Sequence, residues 1–238
     1  MKVKFEYGFD GKYKLYLTPY KTDQEKELLL IPMYSNNTED DLHQALEICK
    51  VPLTYSEIND MSTEMKLVLL YKYREISISD TLHIQFKCPS CGSRIDGNVN
   101  ISNIYQPPRK ESNFIIDPMR MIPPEEIDDY IIVPENEDFS AYRATKKDFD
   151  GYISHFDFYP NSRCLVCGKN DIKINIRDPK FCIENMSENT LSGLYSQINQ
   201  MTHLSHYSYN DIMNMYPFER DILKGLLDKT IEKENERK

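Results

Sequence analysis

Two short stretches carry residue types that could do chemistry: Cys88-Pro89-Ser90-Cys91-Gly92 and Cys164-Leu165-Val166-Cys167-Gly168. Each is a C-x-x-C-G knuckle. A two-residue spacer lets both sulfurs of a pair reach one metal, and two pairs supply the four thiolates that tetrahedral zinc takes. The glycine after each pair lets the chain turn back with positive φ while its amide approaches a sulfur. Cys88, Cys91, Cys164 and Cys167 are therefore the expected ligands of one structural zinc ion. Ribbons usually space their pairs by about 15–20 residues. Here 72 residues separate Cys91 from Cys164, so the ribbon would carry a large insert. The other reading of such pairs, a redox dithiol, usually opens a helix after a strand; here strand patterns follow both knuckles.

Four cysteines saturate zinc and leave no position for water or substrate. Such a site holds chain segments together, and its binding energy becomes folding energy, on the order of 10 kcal/mol in zinc-finger peptides. No phosphate loop, H-E-x-x-H, G-x-S-x-G or dinucleotide fingerprint occurs in the sequence. His203 and His206 flank Ser205, and Glu125-Glu126 and Asp128-Asp129 are carboxylate pairs, but surface and capping roles account for them. The chain is expected not to be an enzyme.

The elements that must position the sulfurs show period-two alternation. Leu82–Lys87 leads into the first knuckle and Ile95–Ile101 leads out; Phe156–Tyr159 and Ile172–Ile176 do the same for the second. Lys2–Tyr7 and Lys14–Thr18 alternate around an Asp10-Gly11 hairpin turn. Thr22-Asp-Gln-Glu25 has the form of a capping box and predicts a short helix stopped by Pro32, with Glu25-Lys26-Glu27 on a solvated face. A second helix over about 39–50 aligns Leu42, Ala45, Leu46 and Cys49 on one apolar face, which makes Cys49 a core thiol and places His43 at the surface. A third, capped by Ser62 and running to about Arg74, is apolar all round at Leu67–Leu70 and should lie at the centre of the fold. Ile76-Ser-Ile-Ser79 then reads as the start of the strand run into the first knuckle. His83 reads as a strand residue rather than a ligand.

Residues 105–150 change character. Six cations face eleven carboxylates among repeated prolines, and the apolar residues are too many for a plain linker. The stretch reads either as an extended insert or as an arm lying on a neighbouring subunit. Past the second knuckle, Ser187 is the expected cap of a helix with its stripe on Leu191, Leu194, Tyr195, Ile198 and Met201. Ser208-Tyr-Asn-Asp211 is another capping box, and Pro217 suits the first position of a last helix. The fold class expected is α+β: small antiparallel strands with a split zinc ribbon, N-terminal helices and a C-terminal helical segment. The divisions expected are 1–104, the insert 105–150, 151–186 completing the ribbon, and 187–238.

Composition sets limits. The net charge of −9 over 238 residues, with no clustered Lys and Arg, argues against a general nucleic-acid binder. No apolar run approaches the roughly 20 residues of a membrane helix. The polar start shows no secretory signal, so the thiols are expected in a reducing compartment that favours metal over disulfide.

The order of motifs over about residues 10–105 resembles the baseplate hub proteins of T-even-type contractile-tailed phages. It runs through Glu25-Lys26-Glu27-Leu28-Leu29-Leu30, a helix ending near Cys49, Leu69-Leu70-Tyr71-Lys72-Tyr73-Arg74-Glu75-Ile76-Ser77 and Cys88-Pro89-Ser90-Cys91. That family has a similar leucine-rich helix, an arginine-x-x-serine and a cysteine pair in this order. Residues 208–238 resemble short phage tail proteins, in which an aspartate-isoleucine helix (here Asp211-Ile212) precedes a proline-x-glutamate-arginine helix (here Pro217 to Arg220). The resemblance implies a non-enzymatic part of the virion's tail baseplate or hub, assembled in the host cytoplasm with other baseplate or hub proteins as partners. Two other functions are weighed. One is an assembly chaperone absent from the mature particle, holding a hub or tape-measure protein. The other is a nucleic-acid-binding zinc ribbon, which the knuckles suggest and the charge opposes.

Overall fold

The computed structural model describes residues 2–7, 13–34, 37–105, 161–170, 172–173 and 175–236. The insert at 105–150, apart from Tyr105, lies outside them, as do the Asp10-Gly11 turn and the Phe156–Tyr159 run. The described elements are β1 (Val3–Tyr7), β2 (Tyr13–Leu17), α1 (Thr22–Tyr34), α2 (Thr38–Ile48), α3 (Tyr55–Asn59), α4 (Thr63–Ser77), β3 (Thr81–Lys87), β4 (Arg94–Asn100), β5 (Asn161–Ser162), β6 (Ile172–Lys173), α5 (Pro179–Glu184), α6 (Leu191–Ser205), α7 (Tyr209–Asn214) and α8 (Pro217–Asn235). The strands pair as three separate antiparallel two-stranded sheets, β1–β2, β3–β4 and β5–β6. Helices with small antiparallel strands make the fold α+β.

The fold is built around α4. Met65, Leu67, Val68, Leu69, Leu70, Tyr71 and Tyr73 are all buried, so the helix is enclosed on every side, as its apolar run requires. Ser62 caps it by accepting from the Met65 amide at 3.3 Å. Helices α2 and α5 pack on α4, and α1 packs on α2 and α5. The stripe of α2 is buried at Leu42, Ala45, Leu46 and Cys49. Burial and the nearby Cys182 push the Cys49 thiol far above its ordinary range, so it is an inert core thiol.

The chain that returns after the second knuckle is fastened to α4 by buried polar side chains. Tyr71 donates its hydroxyl to the Ile176 carbonyl at 2.7 Å, and Tyr20, which precedes α1, donates to the Met186 carbonyl. Arg74 is 2% exposed but fully engaged: Nε donates to the Asn185 carbonyl at 2.8 Å, Nη1 to the Ser79 carbonyl at 2.7 Å, and Nη2 reaches Glu188 at 3.1 Å. A buried guanidinium persists only when its donors are satisfied in this way. The main core accordingly includes residues on both sides of the insert, from Phe5 to Met186.

Four local expectations fail for identifiable reasons. Helix α1 does not stop before Pro32 but includes it, in the last turn, where little helix remains to be disrupted. Helix α4 runs on to Ser77 rather than giving way to a strand at Ile76; Ile76 packs on the core and Ser77 Oγ accepts from the Tyr20 amide at 3.0 Å. His43 is buried, its ring 4.2 Å from that of Tyr55. Ser187 is not a cap; Thr190 caps α6, its hydroxyl accepting from the Gly193 amide at 3.1 Å.

Candidate metal centre

Hairpin β3–β4 places the first knuckle at its tip. Its inward face sets Leu82 opposite Val99, Ile84 opposite Gly97 and Phe86 opposite Ile95, and all but Phe86 and Gly97 of these are buried. His83 lies on the outward face with Nδ1 2.7 Å from Asn98 Oδ1, a strand residue away from the sulfurs. The ladder ends at the Lys87–Arg94 pair, and the six residues between them form the turn that carries Cys88 and Cys91.

The two knuckles share one backbone. In the first, Cys88 N donates to Ser93 O and Gly92 N donates to Cys88 O, each at 2.9 Å; in the second, Cys164 N donates to Lys169 O and Gly168 N to Cys164 O, each at 2.9 Å. Gly92 and Gly168 sit at φ +70° and +74°, the left-handed region that a Cβ would strain. Strands β5 and β6 flank the second knuckle as β3 and β4 flank the first. The first cysteine of each pair is buried and the second exposed. Cys88 and Cys164 join Ile95 and Ile172, with Phe86 alongside, in a small core of their own.

The four Sγ atoms all lie within 4.8 Å of one another. Cys88–Cys167 and Cys91–Cys164 are each 3.8 Å apart. A tetrahedron with Zn–S bonds of about 2.3 Å has an edge of about 3.8 Å, so these pairs already stand at the spacing that zinc would require. Each of these short distances crosses from one knuckle to the other, so the sulfurs interlock rather than sitting as two separate pairs. All four are free thiols. The cluster could hold a metal ion.

Their electrostatics point the same way. Ser93 Oγ lies 2.9 Å from Cys91 Sγ and 3.5 Å from Cys164 Sγ. Hydrogen bonding from that hydroxyl draws the Cys164 thiol down to about 6 and lowers Cys91 as well. Cys167 goes the other way: the Lys169 backbone lowers it, but burial and the three neighbouring sulfurs together push it up to about 11. Four sulfurs this close cannot all ionise by themselves; a divalent cation removes the conflict and takes all four as thiolates.

A second polar constellation was hidden from the sequence. Arg220, near the start of α8, is fully buried and paired with Glu25 of α1, also fully buried. Nη1 reaches Thr22 Oγ1 at 3.4 Å, Nη2 reaches Asp221 Oδ1 at 3.0 Å, and Ser187 donates to Glu25 Oε1 at 2.6 Å. Burial works against the charge on Arg220, but the Glu25 hydrogen bonds outweigh it and its pKa is raised. Burial pushes the Asp221 carboxyl up, and Arg220 only partly offsets this. The capping box expected from Thr22 and Glu25 does not form, because both side chains serve the C-terminal helices; Thr22 N and Oγ1 both donate to the Met215 carbonyl. The proline-x-glutamate-arginine motif placed Arg220 on the last helix, but nothing near it in sequence named its partner.

Compared with known protein families, the chain matches a model described as T4 bacteriophage base plate protein over residues 2–211. A model described as the C-terminal domain of baseplate hub assembly protein Gp51 matches residues 193–235. No curated protein and no solved structure matches it.

Proposed function

Because the chain belongs to the T4 bacteriophage base plate protein family, we propose that it is a structural component of the tail baseplate or its hub, clasped by one zinc ion. The family places it in the baseplate of the phage tail, among other baseplate proteins. In this reading Cys88, Cys91, Cys164 and Cys167 are the ligands. When bound, zinc supplies a closed tetrahedral clasp between residues on either side of the insert and leaves no position for substrate. The 1–104 and 151–186 regions then form one body, the 105–150 arm leaves it at a fixed place, and the arm and the 187–238 helices contact neighbouring subunits. Helix α8 supports the last point: only Pro217 and Arg220 of it are buried, while Ile222 and Leu226 are 61% and 56% exposed.

The observation that carries the baseplate role is the family match over residues 2–211. Mass spectrometry of purified intact tails, with metal analysis, tests it. The expected result is this chain in the particle with one zinc per copy.

A second reading has its own support. Residues 193–235 match a domain of a hub assembly protein, which favours an assembly factor whose C-terminal helices hold a hub or tape-measure protein and then leave. Finding the chain in assembly intermediates but not in mature tails would decide for it.

A further inference from the structure

The knuckles share a backbone but not a tip. Pro89 and Ser90 occupy the tip of the first; Leu165 and Val166 occupy that of the second, 89% and 73% exposed. The knuckle does not demand aliphatic residues there, since its twin forms the same turn without them. Two adjacent aliphatic side chains held out to water on a turn that a metal would make rigid offer a small apolar surface for a segment to cover.

Charge says what kind of thing. Lys87, Arg94, Arg163 and Lys169 flank the four cysteines, and all are exposed. No carboxylate occurs at 86–95 or at 161–170, in a chain whose net charge is −9. Arg94 stands near Gln85 and 4.0 Å from Asp96; Lys87, Arg163 and Lys169 make no ion pair among the described residues. The tip therefore suits an acidic segment that also brings aliphatic side chains.

The chain carries such a segment outside the described residues. Residues 124–139 hold seven carboxylates, from Glu125 to Asp138, and no cation, around Ile131-Ile132-Val133. The 22 residues from 140 to 161 can span up to roughly 70 Å when extended, far more than the return to the tip needs. Tethering gives the chain's own segment an effective concentration in the millimolar range, which a separate protein must exceed.

We propose that the basic, Leu165–Val166 tip of the second knuckle is the docking surface for the chain's own acidic segment 124–139. Aliphatic side chains of the segment cover Leu165 and Val166, and its carboxylates face Lys169, Arg163 and Lys87. This rests on the zinc-filled ribbon above and adds where the middle of the arm lies in a chain that has not yet met its neighbours.

The test is zero-length carbodiimide crosslinking of the zinc-loaded full chain, read by peptide mass spectrometry. Amide links from Lys169 or Lys87 to carboxylates of 124–139 are expected, with a yield independent of protein concentration. L165S/V166S should cut the yield at least about tenfold as the aliphatic cover is lost. K169E should cut it too, and adding E125K/E126K to K169E should restore docking, seen as protection of 124–139 from protease. No crosslink, or a yield unchanged by both tip variants, overturns the proposal. Links found only between labelled and unlabelled copies overturn it in favour of docking between chains. Salt-sensitive binding of a DNA duplex that K169E abolishes, with no crosslink, assigns the tip to nucleic acid instead. Metal analysis separates the two levels: one zinc per chain with no docking sinks this proposal alone, and no zinc in the wild-type chain sinks the clasp.

Discussion

In one region of the molecule the ribbon encloses Cys88, Ile95, Cys164 and Ile172, with Phe86 beside them. In another, the C-terminal helices close over Leu194, Ile198, Met201, Ile212 and Met213, with Leu29 of α1 packed against them. Both regions join residues far apart in the chain, by opposite means. The ribbon's apolar core amounts to two isoleucines and two thiols, too little surface to hold two-residue strands such as β5 and β6 against chain entropy. In the proposed reading it depends on the metal that its four cysteines could hold. The helical end has apolar layers of its own and then adds a buried, fully wired ion pair, which contributes less to net stability than to fixing one arrangement. A small region can borrow its stability from an ion; a larger one can use charge to choose among packings that apolar contact alone leaves nearly equal.

The largest effect expected follows metal removal. Chelation, or Cys164→Ser, should remove on the order of 10 kcal/mol of local folding energy, releasing 161–173 and the β3–β4 tip, with zinc and solubility lost together. Hydrogen exchange should show those amides losing protection while the α4 amides keep theirs. Uniform loss through α4 would mean that the helical body also hangs on the ion.

Next comes the ion pair. Arg220→Met should cost about 3–5 kcal/mol, because it strands the Glu25 charge in the interior; urea unfolding measures it. Glu25→Leu combined with Arg220→Met should recover most of that loss. A double variant as damaged as the single one would mean that the pair does more than satisfy itself.

Ser93→Ala sharpens the ribbon side. Loss of the hydroxyl beside Cys91 and Cys164 should weaken zinc affinity roughly tenfold in a chelator competition, with the urea midpoint of the helical body unchanged. The smallest effect sits on the other side. The folded pKa of Asp221 is raised above the ordinary 3.8, so its ionised form is disfavoured on folding. Asp221→Asn should stabilise the chain at neutral pH by less than about 1 kcal/mol, given partial exposure. That gain should shrink as pH falls through the folded pKa of Asp221 and vanish below the unfolded one.

Legibility in the sequence divided along the same line. The cysteine tetrad was readable because a knuckle's chemistry is local: spacer, glycine and flanking strands all fall within a dozen residues. The enclosed α4 and the caps Ser62 and Ser208 were readable for the same reason, as a period or a hydrogen bond spanning three residues. Glu25 was not. Between Gln24 and Lys26 it looks like one more charge on a wet face, and only a partner 195 residues away makes it internal. Ser187 failed similarly; its place before a helix suggests a cap, but the carboxylate it serves belongs to α1. His43 lost its surface because Tyr55 folds over it, and Ile76 and Ser77 stayed helical because the core and Tyr20 hold them. In each of these failures a contact from another element outranked a local preference; Pro32, tolerated in the last turn of α1, is the exception with a local cause.

A ribosome adding roughly 5–20 residues per second delivers Cys164, 73 positions after Cys91, about 4–15 s later. For those seconds the nascent hairpin holds a bare dithiol, open to oxidation or to a loosely held ion, while the acidic arm is still being made. With zinc as the proposed clasp, manufacture of this protein is therefore expected to depend on cellular zinc and thiol balance during translation.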